Sequence, residues 1–276
     1  MSLGPSPTRV QERSAVLRVG DRITYVGHAS VLFELGGVRL LSDPLLRRRF
    51  LFVRRQVPVP AREHAERLDA VLLSHLHPDH LDFPSLRSLE GEPELFVARG
   101  GGRVLRRRGF GRSIELEPGD SRTRGGIEIT ATRAIHDGRR LPFGRSIEAL
   151  GYLLNGPSAR IYFAGDTDLF DEMSELAGEV DVAVLPIGGW GPTVGSGHLD
   201  PRRAAEAAAI IRPRVVVPIH WGTYLRPDLV RSRPDLLTRY PRELSDQLAR
   251  HAPGVELQVL APGESLELAA RAPSSP

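Results

Sequence analysis

Residues 68–80 read Leu-Asp-Ala-Val-Leu-Leu-Ser-His-Leu-His-Pro-Asp-His, and this run decides the fold. An apolar strand-like stretch ends in three histidines and one aspartate within six residues: His75, His77, Asp79 and His80. Side chains at i and i+2 of an extended segment share a face, so His75 and His77 can address one ion. Pro78 then turns the chain, with φ set by its ring, and lets Asp79 and His80 face a second position beside the first.

Three more strand-like runs end in the same kind of residue. Residues 127–132 lead to His136, residues 160–165 (Arg-Ile-Tyr-Phe-Ala-Gly) to Asp166, and residues 215–219 to His220. In α/β sheets ligands gather outside the carboxyl ends of strands, so four such ends point to one shared site. Seven candidate ligands exceed the roughly three or four that a single zinc takes from protein. Two ions sharing one carboxylate account for the count. Cysteine is absent from all 276 residues, which removes thiolate nucleophiles, disulfides and every Cys-type metal site. Imidazole and carboxylate donors suit zinc first, with manganese or iron as alternatives. Two such ions about 3.5–4 Å apart can share a hydroxide and polarise an electrophile's oxygen, which makes a serine or cysteine nucleophile unnecessary.

Outward from this core, strand candidates fall at 23–25, 30–34, 39–41, 70–73, 94–97, 149–154, 161–164, 182–186 and 215–218. A late pair, 255–260 and 265–268, is separated by the turn signal Ala-Pro-Gly-Glu. Helix candidates are 83–89, 102–107, 169–176, 201–211 and 241–251; the fourth carries Asp200 as N-cap and Pro201 at its first position. The early half reads as hairpin-rich and the later half as β-α-β, an α/β layered arrangement. One domain over 1–276 is expected, with flexible ends at about 1–14 and 271–276.

The 37 basic residues are all arginine and the 34 acidic ones leave a net charge of +3. That small excess, with no clustered aromatic platform, argues against a nucleic-acid partner. Residues 1–14 hold no apolar h-region and no run reaches the ~18 residues of a membrane span, so a cytoplasmic location is expected. A homo-oligomer stays open. The arginines at 106–108 read as surface. Residues 47–60 (Arg-Arg-Arg-Phe-Leu-Phe-Val-Arg-Arg-Gln-Val-Pro-Val-Pro) are the one compositional oddity. The stretch is either a loop that tucks both phenylalanines into the core or a peripheral contact with a membrane surface.

The run His-Leu-His-Pro-Asp-His at 75–80, then His136, Phe-Ala-Gly-Asp-Thr at 163–167 and His220, resembles the metallo-β-lactamase superfamily. The resemblance implies a four-layer αββα sandwich with a dinuclear site at one edge. By position it places His75, His77 and His136 on one ion, Asp79, His80 and His220 on the other, and Asp166 between them. Gly-His-Ala-Ser at 27–30, Ser-Asp-Pro at 42–44 and Ile-His-Trp-Gly-Thr at 219–223 are more specific. They resemble the branch containing N-acylphosphatidylethanolamine-hydrolysing phospholipase D and L-ascorbate-6-phosphate lactonase. Gly-His-Leu-Asp-Pro at 197–201 is similar to the phospholipase side, which implies His198 near a substrate phosphate.

The expected activity is therefore metal-dependent hydrolysis of a phosphodiester or related anionic ester, from a small-molecule or lipid-type substrate. Asp79, Asp166 and His198 are the candidate catalytic groups, and His198, Arg139 and Arg140 the substrate contacts. A lactonase or amide hydrolase on the same site is the alternative, and a non-catalytic metal-binding sensor the third reading. His28 and Asp43 are open between orienting the ligands and forming turns. Asp168 reads as a cap for the helix after it. Trp190 and Trp221 read as packing, and His64 and His251 as solvated.

Overall fold

The computed structural model describes residues 20–138 and 146–269. Arg139 and Arg140, and the end segments 1–14 and 271–276, lie outside them.

The first sheet begins as an antiparallel meander of β1 (Arg22–Gly27), β2 (Ser30–Leu35) and β3 (Val38–Ser42). β6 (Ala70–Leu72), β7 (Glu94–Ala98) and β8 (Ser113–Leu116) then extend it in parallel from β3. Between them the chain makes a small hairpin of β4 (Arg49–Phe50) and β5 (Val53–Arg55). The second sheet repeats the plan. β9 (Ser121–Arg124), β10 (Ile127–Ala134), β11 (Ala149–Asn155) and β12 (Arg160–Phe163) pair antiparallel. β13 (Val182–Pro186) and β14 (Val215–Ile219) follow in parallel.

Period-two alternation explains the layering. In β11 to β13, Leu150, Tyr152, Leu154, Ile161, Phe163, Val182 and Val184 point inward to the first sheet's Phe33, Leu40, Leu72 and Phe96. Their neighbours Leu153, Tyr162, Ala183 and Leu185 point outward, against α3 (Pro201–Ile211) and α5 (Arg239–His251). On the far side Leu41, Val71, Leu95 and Val97 meet α1 (Phe83–Arg87) and α2 (Gly101–Arg106). Helix, sheet, sheet, helix is the expected αββα sandwich. Each large side chain buried between the sheets contributes about 1.5–3 kcal/mol. Asp200 caps α3 as expected, its carboxylate accepting from Arg203 N at 2.9 Å.

Several local expectations are corrected. Hairpins are not confined to the early half, because each sheet joins an antiparallel part to a parallel part. The late pair forms only short strands, and they lie in different sheets. β16 (Glu256–Leu257) adds to β14 in the second sheet, and β17 (Ser265–Glu267) adds to β1 in the first. The turn between them changes sheets because Tyr25 of β1 holds it, donating to Glu264 O at 3.0 Å and accepting from Gly263 N at 2.7 Å. Residues 169–176 form a helix only from Asp171 to Leu176, as a 3₁₀ turn with no side-chain cap. Asp168 does not cap it: its carboxylate pairs with Arg203 and accepts from Leu169 N at 2.6 Å. His64 is 8% exposed rather than solvated. Its 3₁₀ turn is clamped down by Arg39 Nη2 donating to Glu63 O and by Glu90 N donating to Ala65 O. Of the two phenylalanines in residues 47–60, Phe50 is buried and Phe52 is exposed.

Among the described residues, no helix is long and apolar enough to cross a membrane.

Candidate metal centre

The carboxyl ends of β6, β10, β12 and β14 meet at one edge of the sandwich, and cross-ties between the sheets fix how closely. Leu150 N at the start of β11 donates to Ser74 O at 2.8 Å. Thr167 Oγ1 accepts from Ile135 N at 2.9 Å, and Asp168 N donates to Ile135 O at 2.9 Å, which ties the His136 and Asp166 loops together. His220 N donates to His28 O at 2.8 Å, and His28 N donates to Thr223 Oγ1 at 2.8 Å, closing the other side. Gly165 sits between the sheets with φ +60°. A Cβ there would meet Ser74 Cβ at 2.6 Å, so the Phe-Ala-Gly-Asp-Thr segment requires its glycine.

The donor atoms gather in two pockets. In the first, His77 Nδ1 lies 3.0 Å from both His75 Nε2 and His136 Nε2. In the second, Asp79, His80 and His220 approach one another with His28 beside them. Asp166 stands between: its Oδ2 is 3.1 Å from His80 Nε2, 3.6 Å from His220 Nε2 and 3.5 Å from His198 Nε2. It also groups with His75 and with His136.

Hydrogen bonds at the far side of each ring fix which nitrogen is free. His136 Nδ1 donates to Gly197 O at 2.8 Å, and His220 Nδ1 donates to Gly188 O at 2.7 Å. His80 Nδ1 donates to Asp43 Oδ2 at 2.8 Å. Ser74 Oγ donates to the same carboxylate at 2.5 Å and accepts from His75 Nδ1 at 3.0 Å. The rings of His75, His136 and His220 therefore present a lone pair on Nε2 towards the centre, His80 turns its Nε2 the same way, and His77 turns its Nδ1. His80 Nε2, His220 Nε2 and Asp166 Oδ1 are buried without a hydrogen-bond partner. Buried polar atoms without partners are costly, and lone pairs converging at 3.0 Å repel. Bound divalent metal would satisfy both. Rings oriented through carbonyl and carboxylate acceptors are the arrangement metal-ligating histidines adopt. The residues fit a metal centre of imidazole and carboxylate ligands.

The electrostatics of the pockets differ. Burial pushes His75 well below 6.5, pushes His136 down to about 4 and His220 down to about 3. At His80, burial acts the same way but Asp166, Asp43 and Asp79 outweigh it and raise the pKa well above 6.5. Asp79 and Asp166 stay ionised far below the usual carboxylate range, since the surrounding histidines overcome their burial.

Supporting contacts answer what the sequence left open. Asp43 is fully buried and orients His80 while accepting from Ser74 N at 2.8 Å. His28 Nε2 lies 3.1 Å from Asp79 Oδ2, and Trp190 Nε1 donates to the same oxygen at 3.3 Å. Trp190 thus reaches the site, where packing alone was expected. Trp221 packs as expected, on Tyr25 at 6.3 Å between ring centres. Only the Gly-His-Ala-Ser motif signalled His28; nothing in the sequence signalled the Trp190 contact. A cavity of about 380 Å³ opens over both pockets, walled by His77, Asp79, Asp166 and His198, the 188–195 loop, and Phe50 and Leu51. His198 is held by Gly195 O and Ser196 O at 3.2 and 3.3 Å, with its Nε2 turned to Asp166. Burial pulls its pKa down, but the Asp166 carboxylate and the Gly195 and Ser196 carbonyls together outweigh it and raise the pKa.

Comparison with known proteins agrees with this geometry. Residues 38–221 match the family described as "Beta-lactamase superfamily domain". A "UPF0173 metal-dependent hydrolase" of Nitratidesulfovibrio vulgaris is 33% identical over 260 residues, covering 90% of this chain and 95% of that protein. The "N-acyl-phosphatidylethanolamine-hydrolyzing phospholipase D 1" of Caenorhabditis elegans is 33% identical over 226 residues, 73% of this chain and 64% of that one. Among solved structures, Igni18, a metallo hydrolase from Ignicoccus hospitalis, superposes with a TM-score of 0.67. It has 25% identity and covers 92% of this chain and 100% of that one. The chain belongs to the beta-lactamase superfamily and is an enzyme of its metal-dependent hydrolase group.

Proposed function

We propose that the chain is a dinuclear metal-dependent hydrolase that cleaves a phosphodiester or a related anionic ester. The observation that carries this reading is the set of buried, unpartnered donors, His80 Nε2, His220 Nε2 and Asp166 Oδ1, at the meeting of two ligand clusters. In this reading His75, His77 and His136 hold one ion, Asp79, His80 and His220 the other, and Asp166 belongs to both. When bound, two divalent cations supply an activated water and polarise the oxygen of the scissile group. Asp79 and Asp166 remain carboxylates at neutral pH and can orient that water or take its proton. His28 and Trp190 keep Asp79 aimed. His198 forms part of the cavity wall, and its raised proton affinity makes it a donor to a negatively charged substrate oxygen. That last feature, with the phospholipase relative, favours phosphate over a neutral carbonyl.

The test is the initial rate of zinc- or manganese-reconstituted protein on bis(p-nitrophenyl) phosphate, beside a chelated control. Chelator-sensitive turnover is expected. A folded protein holding two ions that opens lactones and leaves phosphodiesters intact overturns the substrate class.

A further inference from the structure

The β4–β5 hairpin forms one lip of the cavity over the candidate metal centre, and its turn is apolar and largely exposed. Its small core is already closed by Phe50 and Val53 against Leu45 and Tyr224. Yet the two turn residues are Leu51, 69% exposed, and Phe52, 57% exposed. Hairpin tips normally take Gly, Asn or Asp, which tolerate positive φ and meet water without cost. Leu51 instead holds φ at 46°, a region that bulky residues avoid. Val59, a few residues on, is a third exposed large apolar side chain.

The charges on the same hairpin are equally unusual. Arg49 and Arg54 are cross-strand partners, both exposed, and neither has an ion pair among the described residues. Like charges directly opposite each other are destabilising unless an anion lies between them. Arg48 is exposed beside them, whereas Arg47 is committed to Asp82 at 2.7 Å. An apolar tip backed by unpaired arginines matches one environment: anionic headgroups lying over an apolar layer.

We propose that the β4–β5 hairpin docks on an anionic phospholipid bilayer, with Leu51 and Phe52 entering the apolar layer and Arg48, Arg49 and Arg54 on the headgroup phosphates. Phe52 meets Trp190 edge-on at 5.2 Å, and Trp190 touches Asp79, so docking sets the mouth of the cavity against the lipid surface. The inference rests on the hairpin alone and stands whether or not the phosphodiester reading holds, because its readout is binding.

The experiment sediments the full chain, metal-reconstituted, with phosphatidylcholine vesicles and with vesicles in which about a third of the lipid is phosphatidylglycerol. Binding at least about tenfold stronger to the anionic vesicles is expected, weakening steeply as salt rises from about 0.1 M towards about 1 M. Trp190 emission shifts to shorter wavelength on binding. The double variant Leu51→Ser/Phe52→Ser and, separately, the triple variant Arg48→Glu/Arg49→Glu/Arg54→Glu each lower partition by about tenfold or more. Circular dichroism and metal content serve as fold controls for both. Wild-type protein that stays in the supernatant overturns the proposal, as does equal binding by both variants. A concentration-dependent dimer that Leu51→Ser/Phe52→Ser disperses, with no vesicle binding, assigns the lip to a second copy of the chain and also overturns it.

Discussion

The two halves of the candidate centre are built from the same part, a strand end followed by a turn bearing histidine, yet they differ in charge. The first, His75, His77 and His136, consists of imidazoles that burial keeps neutral. The second sets His80 among Asp43, Asp79 and Asp166 and draws a proton onto it despite complete burial. The difference comes from which carboxylates lie within reach, since both pockets are rich in imidazole. The neutral pocket suits a cation that brings its own charge balance. In the anionic pocket the three carboxylates favour a proton on His80 in the metal-free protein. Asp166, touching both, couples them.

The largest expected effect follows from that coupling. Asp166→Asn removes the shared charge, so both ions bind more weakly and turnover falls by about 10²–10⁴ or more, with circular dichroism unchanged. A variant that keeps two tight ions and full activity breaks the coupling. Next comes His198→Ala, which lies outside both pockets in this account. Metal content should stay constant while kcat/KM drops by up to about 10²–10⁴. Loss of an ion instead would move His198 into the first pocket, which its distance from His136 and Asp166 permits.

Asp43→Asn sharpens the contrast further. It weakens the acceptor that orients His80 directly and His75 only through Ser74 Oγ, so affinity in the second pocket should fall by about 10–100-fold and further than in the first, as read by competition with a chelating dye. Equal weakening of both would deny that the pockets are separable.

The pH dependence of the metal-free protein carries one sign at His136 and His220 and the opposite sign at His80. Unfolded histidines take up protons near 6.5, whereas His136 resists until about 4 and His220 until about 3. Stability that is complete above 6.5 is therefore lost as pH falls towards 4. The depressed Asp79 and Asp166 add to this loss below the ordinary carboxylate range, because their contribution is present only while they are ionised. His80, with its raised pKa, contributes in reverse: its share is complete below 6.5 and disappears as pH rises through the raised value. The neutral histidines outnumber it, so the Tm of chelator-treated protein should fall between pH 6.5 and 4. A Tm that climbs through this window contradicts the assignment. The smallest effect is a control. Asp200→Ala removes the α3 cap, costing about 1 kcal/mol and about 2–4 °C in Tm, and leaves both pockets filled.

Much of this was readable in the sequence for a definite reason. Strand ends carry ligands, and period-two alternation forces side chains outside the sheet edge, so His75 and His77 announced their convergence once the apolar run 68–74 was read as a strand. Asp200 and Pro201 announced α3 because capping is local. What escaped depended on distant partners. The late strands joined opposite sheets because Tyr25 holds the turn between them. His28 and Trp190 meet Asp79 across 51 and 111 residues, and no local pattern encodes such a contact. The 47–60 stretch stood out in composition, but only the fold shows that it forms the cavity's lip.

The most direct test of the central claim is a metal count. Chelator-stripped protein is exposed to excess zinc, desalted and analysed by inductively coupled plasma mass spectrometry against protein concentration. Two ions per chain are expected, both lost on renewed chelation. One ion per chain, or none, contradicts the claim.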